Sequence, residues 1–138
     1  MNVLTEFAFI IHPLEVSDVT RKYAFAHYLP ESWVEAALPL LPPQEISRIT
    51  GIKSPTGAET CGWFIGCMRT ARQLLHGDPE RIQPHLIRCC EMAQGKGAQL
   101  VGLGAYTAVV GDAGESLSRE VDIGVTTGNS YTVATAVD

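Results

Sequence analysis

EISRITGIKSPTGAETCGWFIGC, residues 45–67, is the stretch that decides the architecture. At its centre Ser54 opens a turn, Pro55 takes the position where φ near about −65° is wanted, and Gly57 closes it, which suits a type I turn. On the returning side Cys61, Trp63, Ile65 and Cys67 alternate, so all four point to one face, read as core. The stretch therefore reads as a β-hairpin.

Working outward, strands and helices alternate on both sides of that hairpin. Upstream, FAFIIH (residues 7–12) is a continuous apolar run bounded by Pro13 and reads as a buried first strand. VSDVTRKYAFAHY (16–28) reads as a helix capped by Ser17 or Asp18, with Val19, Tyr23 and Ala26 at helical spacing. PESWVEAAL (30–38) reads as a second helix, and the prolines of LPLLPP (38–43) end it. Downstream, MRTARQLLHG (68–77) predicts a helix ending at Gly77. DPERIQPHLIRCCEMAQGKG (78–97) predicts another, capped by Asp78, with Pro79 at its first position and Gly95 as its stop. Ile82, Leu86, Cys89, Cys90 and Ala93 form the apolar stripe of that helix. A strand in AQLVGLG (98–104), a short helix in AYTAVVGDAG (105–114), a polar link, and a strand in VDIGVTT (121–127) complete the pattern. The expected class is α/β: a mixed sheet with one β-hairpin, layered with helices.

Composition narrows the function. The 138 residues suffice for one domain with a core of its own, at 46% hydrophobic and 18% charged residues. The net charge is −5 and the basic residues are scattered, which excludes a nucleic-acid face and an anionic membrane surface. MNVLTEFAFIIHP has no basic residue ahead of its apolar run and is too short to span a bilayer, so neither a signal peptide nor a transmembrane segment is expected. Cys61, Cys67, Cys89 and Cys90 are expected as reduced thiols packed in the core, in a cytoplasmic protein.

GLGAYT (102–107) places Gly102 and Gly104 after a strand, but Thr107 stands where a dinucleotide fingerprint needs its third glycine. It reads first as a tight strand-to-helix turn. A further use is open, in which the glycines let a ligand approach the backbone and Tyr106 and Thr107 supply hydroxyls. His12, His27, His76 and His85 show no His-x-x-x-His spacing and the cysteines no Cys-x-x-Cys, so no metal site is expected. His12 is set apart by its place at the end of the first strand, where open α/β sheets hold their sites. In VTTGNSYT (125–132), Thr127 or Asn129 can cap a helix, or Thr126, Thr127, Gly128 and Asn129 can line a cleft. Only nine residues follow from Ser130 to Asp138, with no Gly, Asn or Pro to end them. Isolated helices need about 12–15 residues, so the polypeptide is expected to continue.

Together, FAFIIHPLE with its DVTRKY helix, the hairpin, GLGAYTAVVGD and VTTGNSYTVATAV make the chain similar to the N-terminal region of a known family. That family is the aldehyde-forming long-chain acyl-[acyl-carrier-protein] reductases of cyanobacteria and related bacterial dehydrogenases. The resemblance implies that residues 1–138 are one substrate-binding domain, similar to the N-terminal domains of shikimate and amino-acid dehydrogenases. It implies a following Rossmann domain, absent here, that binds NADPH; no cofactor is expected on this chain alone. The implied reaction is reduction of a fatty acyl thioester, on acyl carrier protein or CoA, to a fatty aldehyde. The catalytic cysteine is implied to lie in the absent part, so no catalytic residue is expected here. The residues implied to bind substrate are His12, Gly104, Tyr106, Thr107, Thr126, Thr127, Gly128, Asn129 and Ser130. Two alternatives stand beside this: a substrate domain for a small polar acid, and a free-standing binding or self-associating module. A homo-oligomer formed through the last helix or the cleft face is also expected.

Overall fold

A computed structural model describes residues 5–137, except the side chains of residues 129–132. Strand β1 (Phe7–Ile11) lies at the centre, parallel to β3 (Glu59–Gly66) on one side and β4 (Leu100–Leu103) on the other. β5 (Gly124–Thr126) continues the parallel set beyond β4, and β2 (Gln44–Lys53) pairs antiparallel with β3. The order is β2-β3-β1-β4-β5, a mixed α/β sheet with a single antiparallel edge contributed by the hairpin. In its turn Gly57 N–H reaches Ser54 C=O at 3.0 Å, and Gly57 adopts φ +85°.

Alternation along the strands separates two faces. Ala8, Ile10, Trp63, Ile65, Cys67, Val101 and Leu103 face α4 (Pro79–Gly95), whose Ile82, Leu86, Cys89, Cys90 and Ala93 complete the main core. The opposite face carries Phe7, Phe9, Phe64 and Leu100 among glycines. A Cβ on Gly102 would come 2.5 Å from the Phe9 ring and one on Gly62 2.8 Å from the Phe7 ring, so both rings occupy space that the glycines leave. Phe9 is stacked on Phe64 with ring centroids 6.1 Å apart, yet it stays 42% exposed.

Helices α1 (Val16–Lys22) and α2 (Glu31–Ala37), with 3₁₀ turns at Ala24–Tyr28 and Leu38–Leu40, build a smaller second core. It consists of Val16, Val19, Ala26, Val34, Leu38 and Met68, with Tyr23 against it. Three local readings need correction. The first helix begins two or three residues earlier than expected, because Asp18 reaches back to the N–H groups of Leu14 and Glu15 (3.0 and 3.3 Å), making Glu15 the cap. It also stops at Tyr23, whose φ −117° and ψ 87° are not helical. Helix α4 runs through Gly95 and turns off at Gly97, the residue with φ +94°.

The remaining elements are α3 (Ala71–His76), a 3₁₀ turn at Ala105–Val109, α5 (Glu115–Glu120) and α6 (Asn129–Val137). α3 opens on a reciprocal cap between Thr70 and Gln73. α5 was read as a polar link; Asp112 starts it by accepting the Ser116 N–H at 3.0 Å, and Leu117 anchors it in the core. No helix among the described residues is long and apolar enough to cross a membrane.

Candidate functional site

The parallel strands β3, β1, β4 and β5 bring their carboxyl ends to one edge, and the strand-end residues picked out from sequence gather there. His12 follows β1, Gly104 follows β4, and Thr127 follows β5. His12 Nε2 accepts the Tyr106 N–H at 3.3 Å, and its Nδ1 lies 3.0 Å from the Pro13 carbonyl. An acceptor at Nε2 requires the proton on Nδ1, which then donates to Pro13. The His12 and Tyr106 rings lie 5.6 Å apart, tilted by 43°. Both ring nitrogens are thus engaged, and His12 positions the turn rather than offering a free base.

Gly104 is small for the sake of the sheet: a Cβ there would fall 2.8 Å from the Ile10 carbonyl oxygen. The next residue, Ala105, sits at φ +48°, a left-handed conformation uncommon without glycine. Such strain concentrates at sites where the surroundings impose it. Thr107 is buried and donates its hydroxyl to the Gly104 carbonyl at 2.7 Å, so it ties the turn from beneath. Tyr106 is 38% exposed, and its hydroxyl forms no hydrogen bond among the described residues.

On the neighbouring strand Thr126 pairs with Gly102 and accepts the Gly128 N–H at 3.2 Å on its hydroxyl oxygen. Gly128 takes φ +77°, the left-handed turn into α6. Thr127 is half-buried beside it. Asn129 and Ser130 open α6, and their side chains lie outside the described part of the structure.

Two apolar hollows adjoin the sheet, the first toward the amino ends of β1, β3 and β4, the second at this carboxyl edge. One, of about 520 Å³, lies along the open sheet face against Phe7, Phe9, Leu100, Gly102 and Thr126. The other, of about 240 Å³, is reached past His12 and is lined by Ile11, Val19, Tyr23 and Met68. No family model matches the chain. It is similar to a protein of Serratia sp. (strain ATCC 39006) named aminotransferase PigE, at 30% identity. That match takes in 92% of this chain but 16% of the relative, so the chain spans about one sixth of the length of the curated protein it matches.

The glycine turn does not open an α-helix. β4 leads into a five-residue 3₁₀ turn instead of an α-helix, and the Thr107 hydroxyl fills it. The helix start that would hold a pyrophosphate is missing at that point.

Away from the edge, Cys67, His85 and Cys89 bring a sulfur, a nitrogen and a sulfur within 4.8 Å of one another, all buried. His85 and Cys89 are four apart on α4, a mixed pairing that neither a His–His nor a Cys–Cys spacing reveals. His85 Nε2 accepts the Met68 N–H at 3.3 Å. Burial, then the charges of Arg88 and Arg69, lowers its pKa to about 4, leaving a neutral imidazole. A hydrogen bond with Cys67, followed by burial, pushes the Cys89 thiol far up; burial pushes Cys90 up to about 12. These are the donors that could hold a soft cation, but as packed the His85 imidazole and the Cys89 thiol are neutral core groups. Unactivated and buried, neither thiol has the character of a nucleophile.

Proposed function

We propose that the chain is the substrate-binding domain of an NADPH-dependent reductase converting fatty acyl thioesters, on acyl carrier protein or CoA, to fatty aldehydes. The observation that carries this reading is the strand-end site itself. Tyr106 and Thr126 stand at adjoining strand ends; Thr126 borders one apolar hollow, and His12, whose ring lies 5.6 Å from that of Tyr106, borders the other. Hydroxyl donors beside apolar walls suit a thioester carbonyl with a hydrocarbon tail.

In the whole reaction NADPH would supply the hydride to the thioester carbonyl carbon, the C–S bond breaking and the released thiolate taking one proton from solvent, so that thioester, NADPH and H⁺ would give aldehyde, thiol and NADP⁺. The reductant would be NADPH, which we assign to a domain outside residues 1–138. What these residues contribute is orientation: Tyr106 and Thr126 direct hydrogen bonds at the carbonyl oxygen, and His12 and Thr107 hold the turn that carries Tyr106. Asn129 and Ser130 would extend the rim. The match to a small share of a much longer relative agrees with a domain serving inside a larger polypeptide. An aldehyde is also the kind of amino acceptor an aminotransferase uses, so the two chemistries can follow one another. We place the protein in the cytoplasm, in keeping with its four unpaired cysteines.

The small-acid alternative needs a cation near the turn. Arg48 lies over the Trp63 ring at 5.8 Å, Lys53 pairs with Glu59 at 2.5 Å, and Arg69 donates to the Arg81 carbonyl at 3.1 Å. Arg48 and Lys53 are occupied elsewhere; Arg69 is held through one Nη while its Nε is buried without a hydrogen-bond partner among the described residues, and Lys22 borders the hollow beside His12. Thermal-shift titration with a hexadecanoyl thioester, with shikimate and amino acids, and with NADPH tests the reading. Stabilisation by the thioester alone is expected; stabilisation by the small acids instead would overturn it.

A further inference from the structure

We infer that the recess running from His12 beneath α1 and α2 is the seat of one unbranched alkyl chain, its polar end at the strand edge and its tail toward Trp33. This deepens the reading above and rests on it for the placement of the polar end. Beyond the hollow beside His12 lies a second, of about 310 Å³, bounded by Ala26, Leu29, Trp33, Val34, Leu38 and Leu41. Val19 and Tyr23 form a wall common to the two hollows.

Polarity is divided along this path. His12, Asp18 and Lys22 stand around the first hollow, whereas the second has no charged side chain, its polar groups being Gln44, the Tyr23 hydroxyl and the Trp33 indole N–H. A ligand with a single polar end and a long hydrocarbon tail matches that division. A peptide helix does not, because its outer face would bring polar groups along its whole length. Large apolar side chains also stand unburied along the second hollow: Trp33 is 67% exposed, Leu29 44% and Leu41 38%. The small second core has room for a chain that none of its own residues fills. Covering those side chains with methylenes is favourable, and each methylene buried is expected to tighten binding roughly three- to fourfold until the recess is full.

The test uses the 138-residue chain, titrated with decanoate, dodecanoate and hexadecanoate below their micelle concentrations and followed by Trp33 emission. Trp33→Phe identifies the reporting ring, since Trp63 is buried in the other core. Expected are one chain bound per protein, affinity rising with length, and a blue shift that Trp33→Phe abolishes. Ala37→Trp, an exposed position bordering the second hollow, is expected to weaken hexadecanoate at least tenfold without lowering Tm. Leu29→Glu, at a half-exposed wall, is expected to do the same. Affinity independent of chain length, or both variants binding as the parent does, would overturn the inference. A blue shift that follows protein concentration without ligand would overturn it as well, by showing a second copy on this surface. The arms separate the two readings: fatty acids that bind with no preference for the thioester leave the recess standing and remove the reductase. Thioester binding untouched by Ala37→Trp does the reverse.

Discussion

His12 Nε2 accepts the Tyr106 backbone N–H at 3.3 Å across 94 residues of chain, so the end of β1 holds the turn that follows β4. His12→Ala removes that acceptor. The expected cost is about 1 kcal/mol of stability, the usual net worth of one hydrogen bond. Amide exchange checks it: Tyr106 N–H should exchange faster in the variant, while the amides of β1 and β4 keep their protection. Unchanged exchange at Tyr106 would mean that the bond does not hold the turn.

The same turn contains two adjacent small residues with opposite demands. A Cβ on Gly104 would meet the Ile10 carbonyl oxygen at 2.8 Å, so Gly104→Ala must push β1 and β4 apart. A loss of about 1–3 kcal/mol is expected from that overpacking. Ala105 already sits at φ +48°, where its methyl is strained, so Ala105→Gly should be neutral or stabilising by up to about 1 kcal/mol. Urea unfolding of the pair measures both; equal losses would contradict the assigned backbone.

His85 makes stability depend on pH in a definite direction. Its folded pKa of about 4 lies below the ordinary 6.5, so the unfolded chain takes up the proton first on acidification. The contribution is full above pH 6.5 and is lost as pH falls toward 4. It amounts to roughly 3 kcal/mol at most. His85→Gln keeps an acceptor for Met68 N–H but does not titrate there, so its stability should fall less than the parent's between these limits. Glu35 and Asp112, both held below the usual carboxylate range by hydrogen bonds from Arg72 and Ser116, titrate in parent and variant alike and cancel.

Glu35 fastens α2 to the start of α3. It accepts the hydroxyl of buried Thr70 at 2.8 Å and pairs with Arg72, while its own carbonyl takes Gln73 Nε2 at 2.7 Å. Glu35→Ala should cost about 1 kcal/mol through the lost Thr70 partner. Arg72→Ala, at an exposed guanidinium, should leave stability unchanged within error in the same melts.

What the sequence disclosed follows from how local each cause is. The hairpin was legible because Ser54, Pro55 and Gly57 make the turn themselves. β1 was legible from an unbroken apolar run, and α4 from Asp78, Pro79 and its buried stripe. α5 was missed because ESLSRE has a single apolar residue, Leu117, and its start depends on Asp112 outside it. His85 escaped the stripe because a histidine was not counted as apolar, although it falls between Ile82 and Leu86. At the site, the strand-end positions of His12, Gly104 and Thr126 followed from chain order. The burial of the Thr107 hydroxyl and the engagement of both His12 nitrogens did not, since each depends on packing between β1 and β4. The recess beneath α1 and α2 arises because the chain leaves helical geometry at Tyr23, which the apolar spacing across residues 16–28 does not reveal.

Backbone amide shifts of the 138-residue chain during titration with hexadecanoyl-N-acetylcysteamine test the account most directly. It predicts saturable changes at His12, Tyr106 and Thr126, with none on adding NADPH. Saturation by NADPH at micromolar concentration, or thioester shifts that avoid all three residues, would contradict it.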